Sequence, residues 1–123
     1  MKYGDSSSAS GFTLTNEVLS CSHPPKAIIC EDNVVAFGVI KALHQRNLEI
    51  PKDISLICFD NYPFSEIMDP MPTVVDIDVH DMGMQAASLL LRKIKKPDLQ
   101  VQTYTTLPVL IVRNSTRAVK PEK

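Results

Sequence analysis

The chain has 123 residues, which suffices for one domain with a hydrophobic core and is short for two. Hydrophobic residues make up 44% and charged residues 22%, a balance that is ordinary for a globular protein and argues against extended disorder. The net charge is -1 and tryptophan is absent, so neither a basic field nor an aromatic platform predicts nucleic-acid binding.

The N-terminal part of the chain predicts a polar loop followed by a helix. Residues 1–6 lack the apolar stretch of a signal peptide, and no later run approaches membrane-spanning length. Residues 4–11 are small and polar and offer several helix caps. A helix is predicted over residues 9–19, and it must end before Pro24 because residues that precede a proline avoid the α region.

The central part of the chain predicts a βαβ unit. Two short apolar runs, residues 27–30 and 54–59, flank a segment with apolar residues at Val35, Val39 and Leu43, which is the spacing of a helix over residues 34–47. The runs do not alternate with polar residues, so we expect parallel strands that are buried on both faces.

Each of these strands is followed by an aspartate. Because βαβ units are right-handed almost without exception, both strands should end at the same edge of the sheet. Asp32 and Asp60 are therefore expected to point into one crevice at the carboxyl ends of neighbouring strands. Open α/β sheets bind their ligands at this place.

The C-terminal half continues the alternation of helices and strands. Its predicted elements are one helical turn over residues 62–68, a half-exposed strand over 73–79, a long helix over 80–96, one interrupted strand over 101–106 and 108–112, and a charged, frayed tail from 113. The whole pattern predicts the α/β class with a three-layer parallel sheet. A doubly wound sheet needs more strands than these, so the sequence has the character of the C-terminal part of something larger.

The three cysteines are odd in number and lack metal-ligand spacing. Cys30 and Cys58 fall inside strand patterns, where a free thiol acts as a small hydrophobic residue, and a reducing cytoplasm is the natural inference. A disulfide between Cys30 and Cys58 across adjacent strands is geometrically allowed and is the disfavoured alternative.

Catalysis is not expected. Asp32 and Asp60 have no histidine or lysine beside them in the motif, and no nucleophile elbow is present. Ionised carboxylates suit hydrogen bonding to a polyhydroxyl ligand. The structural alternative is that Asp32 caps the following helix while Asp60 stabilises a turn. The three histidines are scattered, so neither a metal nor a cofactor is predicted.

Four segments resemble, in order, the signatures of lactose- and galactose-repressor-type (LacI/GalR) regulators. They read PKAIICEDNVVAFG at 25–38, IPKDISLICFDN at 50–61, PMPTVV at 70–75 and LPVLIVRNST at 107–116. The resemblance runs from Gly4 to Thr116. It implies the C-terminal lobe, plus crossover elements, of a type I periplasmic-binding-protein-like core, in which a small effector binds between two lobes and changes the grip of a dimer on operator DNA.

The resemblance also implies domain bounds and site residues. Residues 1–116 would be a partial sensor domain in which helix 80–96 belongs to the other lobe, and residues 117–123 would be a tail. The four implied ligand-binding positions are Asp60, Asp32, Ser6 and Val79. Asp60 is similar to an acidic residue that hydrogen-bonds the effector, and Asp32 stands where asparagine is usual. Ser6 stands where several members place an aromatic platform, and Val79 matches a pocket-lining position.

The favoured function is therefore the effector-sensing region of a cytoplasmic transcriptional repressor. Its effector would be a sugar, or alternatively a purine, and it would act as a homodimer without membrane contact. Operator DNA would be bound only through a helix-turn-helix, which this chain lacks, and with half the cleft missing the chain alone should bind effector poorly. One alternative, a fragment of a transport-type sugar-binding protein, predicts an export signal and paired cysteines. Another, an interaction-only remnant, predicts a concentration-dependent dimer without ligand affinity.

Overall fold

A computed structural model describes residues 4–118 of the chain. Within them lie the helices α1 (Ser8–Leu19), α2 (Asn33–Gln45) and α3 (Val79–Lys95), the 3-10 helix Pro63–Ile67, and the strands β1 (Ala27–Cys30), β2 (Ser55–Phe59), β3 (Thr73–Asp76) and β4 (Val109–Ile111). None of the described helices combines the length and apolarity that crossing a bilayer would need.

The four strands form one sheet in the order β1-β2-β3-β4. β1, β2 and β3 run parallel, and β4 joins β3 in the antiparallel direction. In the register of the first pair, Ile28 lies opposite Leu56 and Cys30 lies opposite Cys58. The predicted βαβ unit and the α/β class are confirmed, and the antiparallel β4 makes the sheet mixed.

One face of the sheet is covered by α2. The predicted stripe of α2 is confirmed, since Val39 and Leu43 are buried and Val35 packs against the same core. The buried hydrophobic residues form a single cluster: Cys30, Ala36, Val39, Leu43, Ile54, Leu56, Cys58 and Val74.

The other face of the sheet is open in the described part of the chain. Leu56 and Cys58 of β2 are buried, whereas their neighbour Ile57 is half-buried and Ile29 of β1 is 68% exposed. The expectation that both strands are buried on both faces is therefore wrong here. A run of apolar residues can be buried on both faces of a sheet, but the described helices cover only one face of this one.

The N-terminal helix and the helical turn lie where they were predicted. α1 starts one residue early, after Ser7, whose hydroxyl accepts a hydrogen bond from the Ser10 amide. α1 packs against α2 so closely that a side chain at Gly38 would collide with the backbone of α1. The turn predicted over residues 62–68 is the 3-10 helix.

The C-terminal part differs from the prediction in three places. The strand expected over 101–106 is wrong, because Val101 is 92% exposed and lies outside the sheet, and only β4 forms from the pair of segments. β3 ends at Asp76, and its first half is buried instead of alternating. Residues 113–116 are not frayed, and residues 119–123 of the predicted tail lie outside the described residues.

Ser115 explains why this segment is ordered. Its hydroxyl accepts a hydrogen bond from the Thr73 amide at 2.6 Å and donates to the Leu56 carbonyl at 2.5 Å. The side chain is 1% exposed, so it satisfies buried backbone groups at the starts of two strands. Arg113 adds a bond from its guanidinium to the Asn61 amide oxygen at 2.8 Å.

Helix α3 stands apart from the core. It is capped by Asp78, but no residue of it is buried, and it packs against no other helix or strand of the described residues. An uncovered apolar stripe could be buried if the helix folded back onto the sheet. The structure does not show this for α3. The contacts that hold α3 come from the segment after it, where Tyr104 donates a hydrogen bond to the Asp81 carboxylate and Lys93 donates to the Leu99 carbonyl.

Candidate ligand-binding site

The carboxyl ends of β1 and β2 lie side by side. Cys30 and Cys58 are register partners, and Asp32 and Asp60 each follow two residues later. The two aspartates therefore leave neighbouring strands at the same edge of the sheet, which is the arrangement that the βαβ pattern predicts.

Asp60 occupies a special backbone position. Its φ is 67°, in the left-handed region that aspartate and asparagine tolerate better than most residues, and its amide donates to the Val75 carbonyl at 3.0 Å. Its side chain borders a narrow cavity next to Asn33 and Tyr62. No described residue hydrogen-bonds the Asp60 carboxylate, so both of its oxygens are available as acceptors.

Asp32 is partly committed to the fold. One carboxylate oxygen accepts a hydrogen bond from the Val35 amide at 2.7 Å, which makes Asp32 the N-cap of α2. This is the structural alternative that the sequence left open. The second oxygen has no hydrogen-bond donor among the described residues, so capping one amide does not exclude a ligand contact.

The two roles of Asp32 can be separated by a pair of substitutions. Asp32→Ala removes the cap and is expected to destabilise the fold by about 1 kcal/mol. Asp32→Asn keeps a capping oxygen, so we expect a free energy of unfolding within about 0.5 kcal/mol of the wild type. Urea unfolding measures both values. Equal losses in the two variants would contradict a role for Asp32 as a cap.

Asn33 was not predicted as a site residue. Its side-chain Nδ2 is buried without a hydrogen-bond partner among the described residues, although buried amides are normally satisfied. It borders the same narrow cavity as Asp60. The signal in the sequence was the polar motif Glu31-Asp32-Asn33 after β1, whose last residue borders the same cavity as Asp60.

Three aromatic rings surround this corner. Phe64 lies with its ring centre 5.5 Å from that of Tyr62 and 5.4 Å from that of Phe37. All three rings remain exposed at their outer side. The enclosed volume beside Asp60 is about 10 Å³, which is room for about one water molecule, so this chain by itself does not enclose a small-molecule ligand there.

The other two predicted residues lie at the ends of helices. Ser6 is exposed in the loop before α1, and Val79 is 68% exposed as the first residue of α3. Neither borders the cavity beside Asp60. Their roles stay predictions that depend on how the rest of a ligand site is built.

A larger cavity, of about 450 Å³, runs between α1 and the outer edge of β1. Thr15 and Val18 line it from α1, and Ile29, Cys30 and Glu31 line it from the strand side. Nowhere in the described residues do three histidine, cysteine or acidic side chains come together in a way that could hold a metal ion.

Comparison with known proteins agrees with this architecture. The model of the periplasmic binding protein-like domain matches residues 3–116. A transcriptional repressor named PurR from Actinobacillus pleuropneumoniae is 35% identical over 93% of this chain, and the ribose operon repressor of Escherichia coli is 31% identical over 91%. This chain spans 34% of the length of each of these relatives.

A solved structure shows the same fold. The LacI family regulator of Enterococcus faecalis, crystallised with bound ribose, is 30% identical and superposes with a TM-score of 0.85. The match covers 93% of this chain and 42% of the solved one. The chain therefore belongs to the periplasmic binding protein-like domain family and, within it, to the effector-binding cores of LacI/GalR-type transcriptional regulators.

Proposed function

We propose that this chain is the effector-sensing part of a longer cytoplasmic transcriptional repressor, and that its effector is a sugar. The observation that carries the proposal is the Asp60 carboxylate, which stands at the end of β2 beside the end of β1 with no partner among the described residues. An unpaired carboxylate at this edge of the sheet suits a small ligand that carries several hydroxyl groups, and Asn33 borders the same narrow cavity. The similarity to transcriptional repressors supports the proposal that the protein is not an enzyme.

A purine is the second candidate effector. It is motivated by the relatives named PurR, whereas the ribose bound to the enterococcal regulator motivates the sugar. A planar base gains most from an aromatic platform, and the position that the family resemblance assigns to such a platform is Ser6 here. Because serine offers no stacking surface, we favour the sugar.

We further propose that the repressor works as a homodimer and touches operator DNA through a helix-turn-helix outside these residues. The exposed rings of Phe37, Tyr62 and Phe64, together with Ile67, which is 88% exposed, form an apolar surface that a second copy could cover.

The test is a calorimetric titration of the complete gene product with ribose, other pentoses, hexoses and free purine bases. The proposal expects one sugar to saturate a single site per chain, and that sugar to change the affinity of the protein for its own promoter DNA. Saturation by a purine alone would replace the sugar by the second candidate. A gene product that opens with an export signal, or that binds none of these compounds, would overturn the repressor proposal.

A further inference from the structure

Two cysteines lie opposite each other in the sheet, directly below the strand ends that carry the aspartates. Cys30 ends β1, and its register partner in the parallel strand β2 is Cys58. Both side chains belong to one buried cluster and are 2% and 3% exposed, so they point to the same face of the sheet. Neighbouring strands are about 4.8 Å apart, which falls inside the range of about 4.4–6.8 Å that disulfide Cα atoms span.

The two thiols also interact chemically. The neighbouring Cys58 thiol, together with burial, raises the pKa of Cys30 above its usual value. The proximity of Cys30 in turn lowers the pKa of Cys58, against the opposing effect of burial.

Each of the two buried cysteines borders a cavity. Cys30 borders the cavity of about 450 Å³ between α1 and β1, and Cys58 borders the narrow cavity that it shares with Asp60. The third cysteine, Cys21, is exposed in the loop after α1 and has no such partner among the described residues.

We propose that Cys30 and Cys58 form an oxidisable dithiol site, which a small hydroperoxide converts into a disulfide between β1 and β2. One of the two cysteines attacks a peroxide oxygen as its thiolate, the O–O bond breaks, and a cysteine sulfenic acid and one water (or alcohol) result. The thiol of the other cysteine then attacks the sulfenic sulfur, the S–S bond forms, and a second water leaves. The two thiols lose two electrons and two protons, and the peroxide is reduced by the same two electrons. A thiol reductant reverses the reaction.

The disulfide would join the two strands at the ends that carry Asp32 and Asp60. It closes a loop that contains the whole of α2, so it should stabilise the fold by constraining the unfolded chain. We expect the oxidised protein to have a Tm at least about 5 °C above that of the reduced protein.

The experiment uses Cys21→Ser protein, which removes the exposed thiol and leaves the buried pair. After treatment with hydrogen peroxide, blocking and denaturation, we expect no free thiol, a mass lower by two hydrogen atoms, and a reductant-sensitive peptide that links the segments containing Cys30 and Cys58. The Tm should rise and then fall again after reduction.

The matched controls are Cys21→Ser/Cys30→Ala and Cys21→Ser/Cys58→Ala, which should gain oxygen or remain unchanged and form no internal link. Two outcomes in the Cys21→Ser protein would overturn the proposal. In one, both buried thiols stay free at a peroxide dose that oxidises Cys21 completely in the wild type. In the other, each thiol gains oxygen separately without a link. Neither measurement involves an effector, so the outcome is independent of the proposed function.

Discussion

Asp60→Asn is expected to lower the affinity of the complete gene product for its effector by roughly 10- to 100-fold, since a hydrogen bond to a charged group contributes about 1.5–3 kcal/mol. The substitution removes the negative charge and replaces one acceptor oxygen by an amide donor, which would face the hydroxyl groups of the ligand. No described residue hydrogen-bonds the native carboxylate, so the loss should appear in ligand binding with little change in folding.

The choice of asparagine follows from the backbone at this position. With a φ of 67°, alanine would add conformational strain, whereas asparagine adopts this region nearly as well as aspartate. Asp98→Asn is the matched control, because it removes the same charge from an exposed residue after α3. Calorimetry on the wild type and both variants measures the effect. Equal affinities for wild type and Asp60→Asn would remove Asp60 from the site.

Gly38→Ala is expected to destabilise the fold by about 2–4 kcal/mol. A Cβ at this position in α2 would lie 2.0 Å from the Ser8 carbonyl oxygen and 2.5 Å from the Phe12 amide nitrogen. Both atoms belong to backbone, which cannot rotate away as a flexible side chain can. α1 would have to move off α2, and part of the apolar surface between these two helices would become exposed.

Gly83→Ala provides the matched control for this prediction. It lies in the interior of α3, and a Cβ there meets no atom within 4 Å. Alanine has the higher helix propensity, so this substitution should stabilise the protein by about 0.5–1 kcal/mol. Urea unfolding followed by circular dichroism gives both values. A loss of stability below about 1 kcal/mol for Gly38→Ala would show that α1 accommodates the extra carbon.

The helices, most of the strands and the Asp32 cap of α2 could be predicted because they depend on local sequence. The apolar spacing of α2, its Asp32 cap and the two flanking runs specify a right-handed crossover, and that crossover alone brings Asp32 and Asp60 to one edge. Burial could not be predicted in the same way. The runs around Ile29 and Ile57 are apolar whether or not another element covers them. The strand sequence therefore does not show which face of the sheet is exposed.

The missed contacts connect residues that are far apart in the chain. Ser115 forms hydrogen bonds with the backbone of Thr73, 42 positions away, and of Leu56, 59 positions away. The sequence of a polar tail does not indicate such partners. The unsatisfied amide of Asn33 became visible only with its neighbours in place. The sequence already placed Cys30 and Cys58 on adjacent strands, and the structure adds that they are direct register partners.

The central claim is that Asp60, together with Asp32, binds a small polar effector at the carboxyl ends of β1 and β2. The most direct measurement is a crystal structure of the complete gene product with the ligand that saturates it. The account predicts that hydroxyl or ring N–H groups of this ligand donate hydrogen bonds to the Asp60 carboxylate and to the free oxygen of Asp32. A ligand bound in the cavity between α1 and β1, with both carboxylates in solvent, would contradict it.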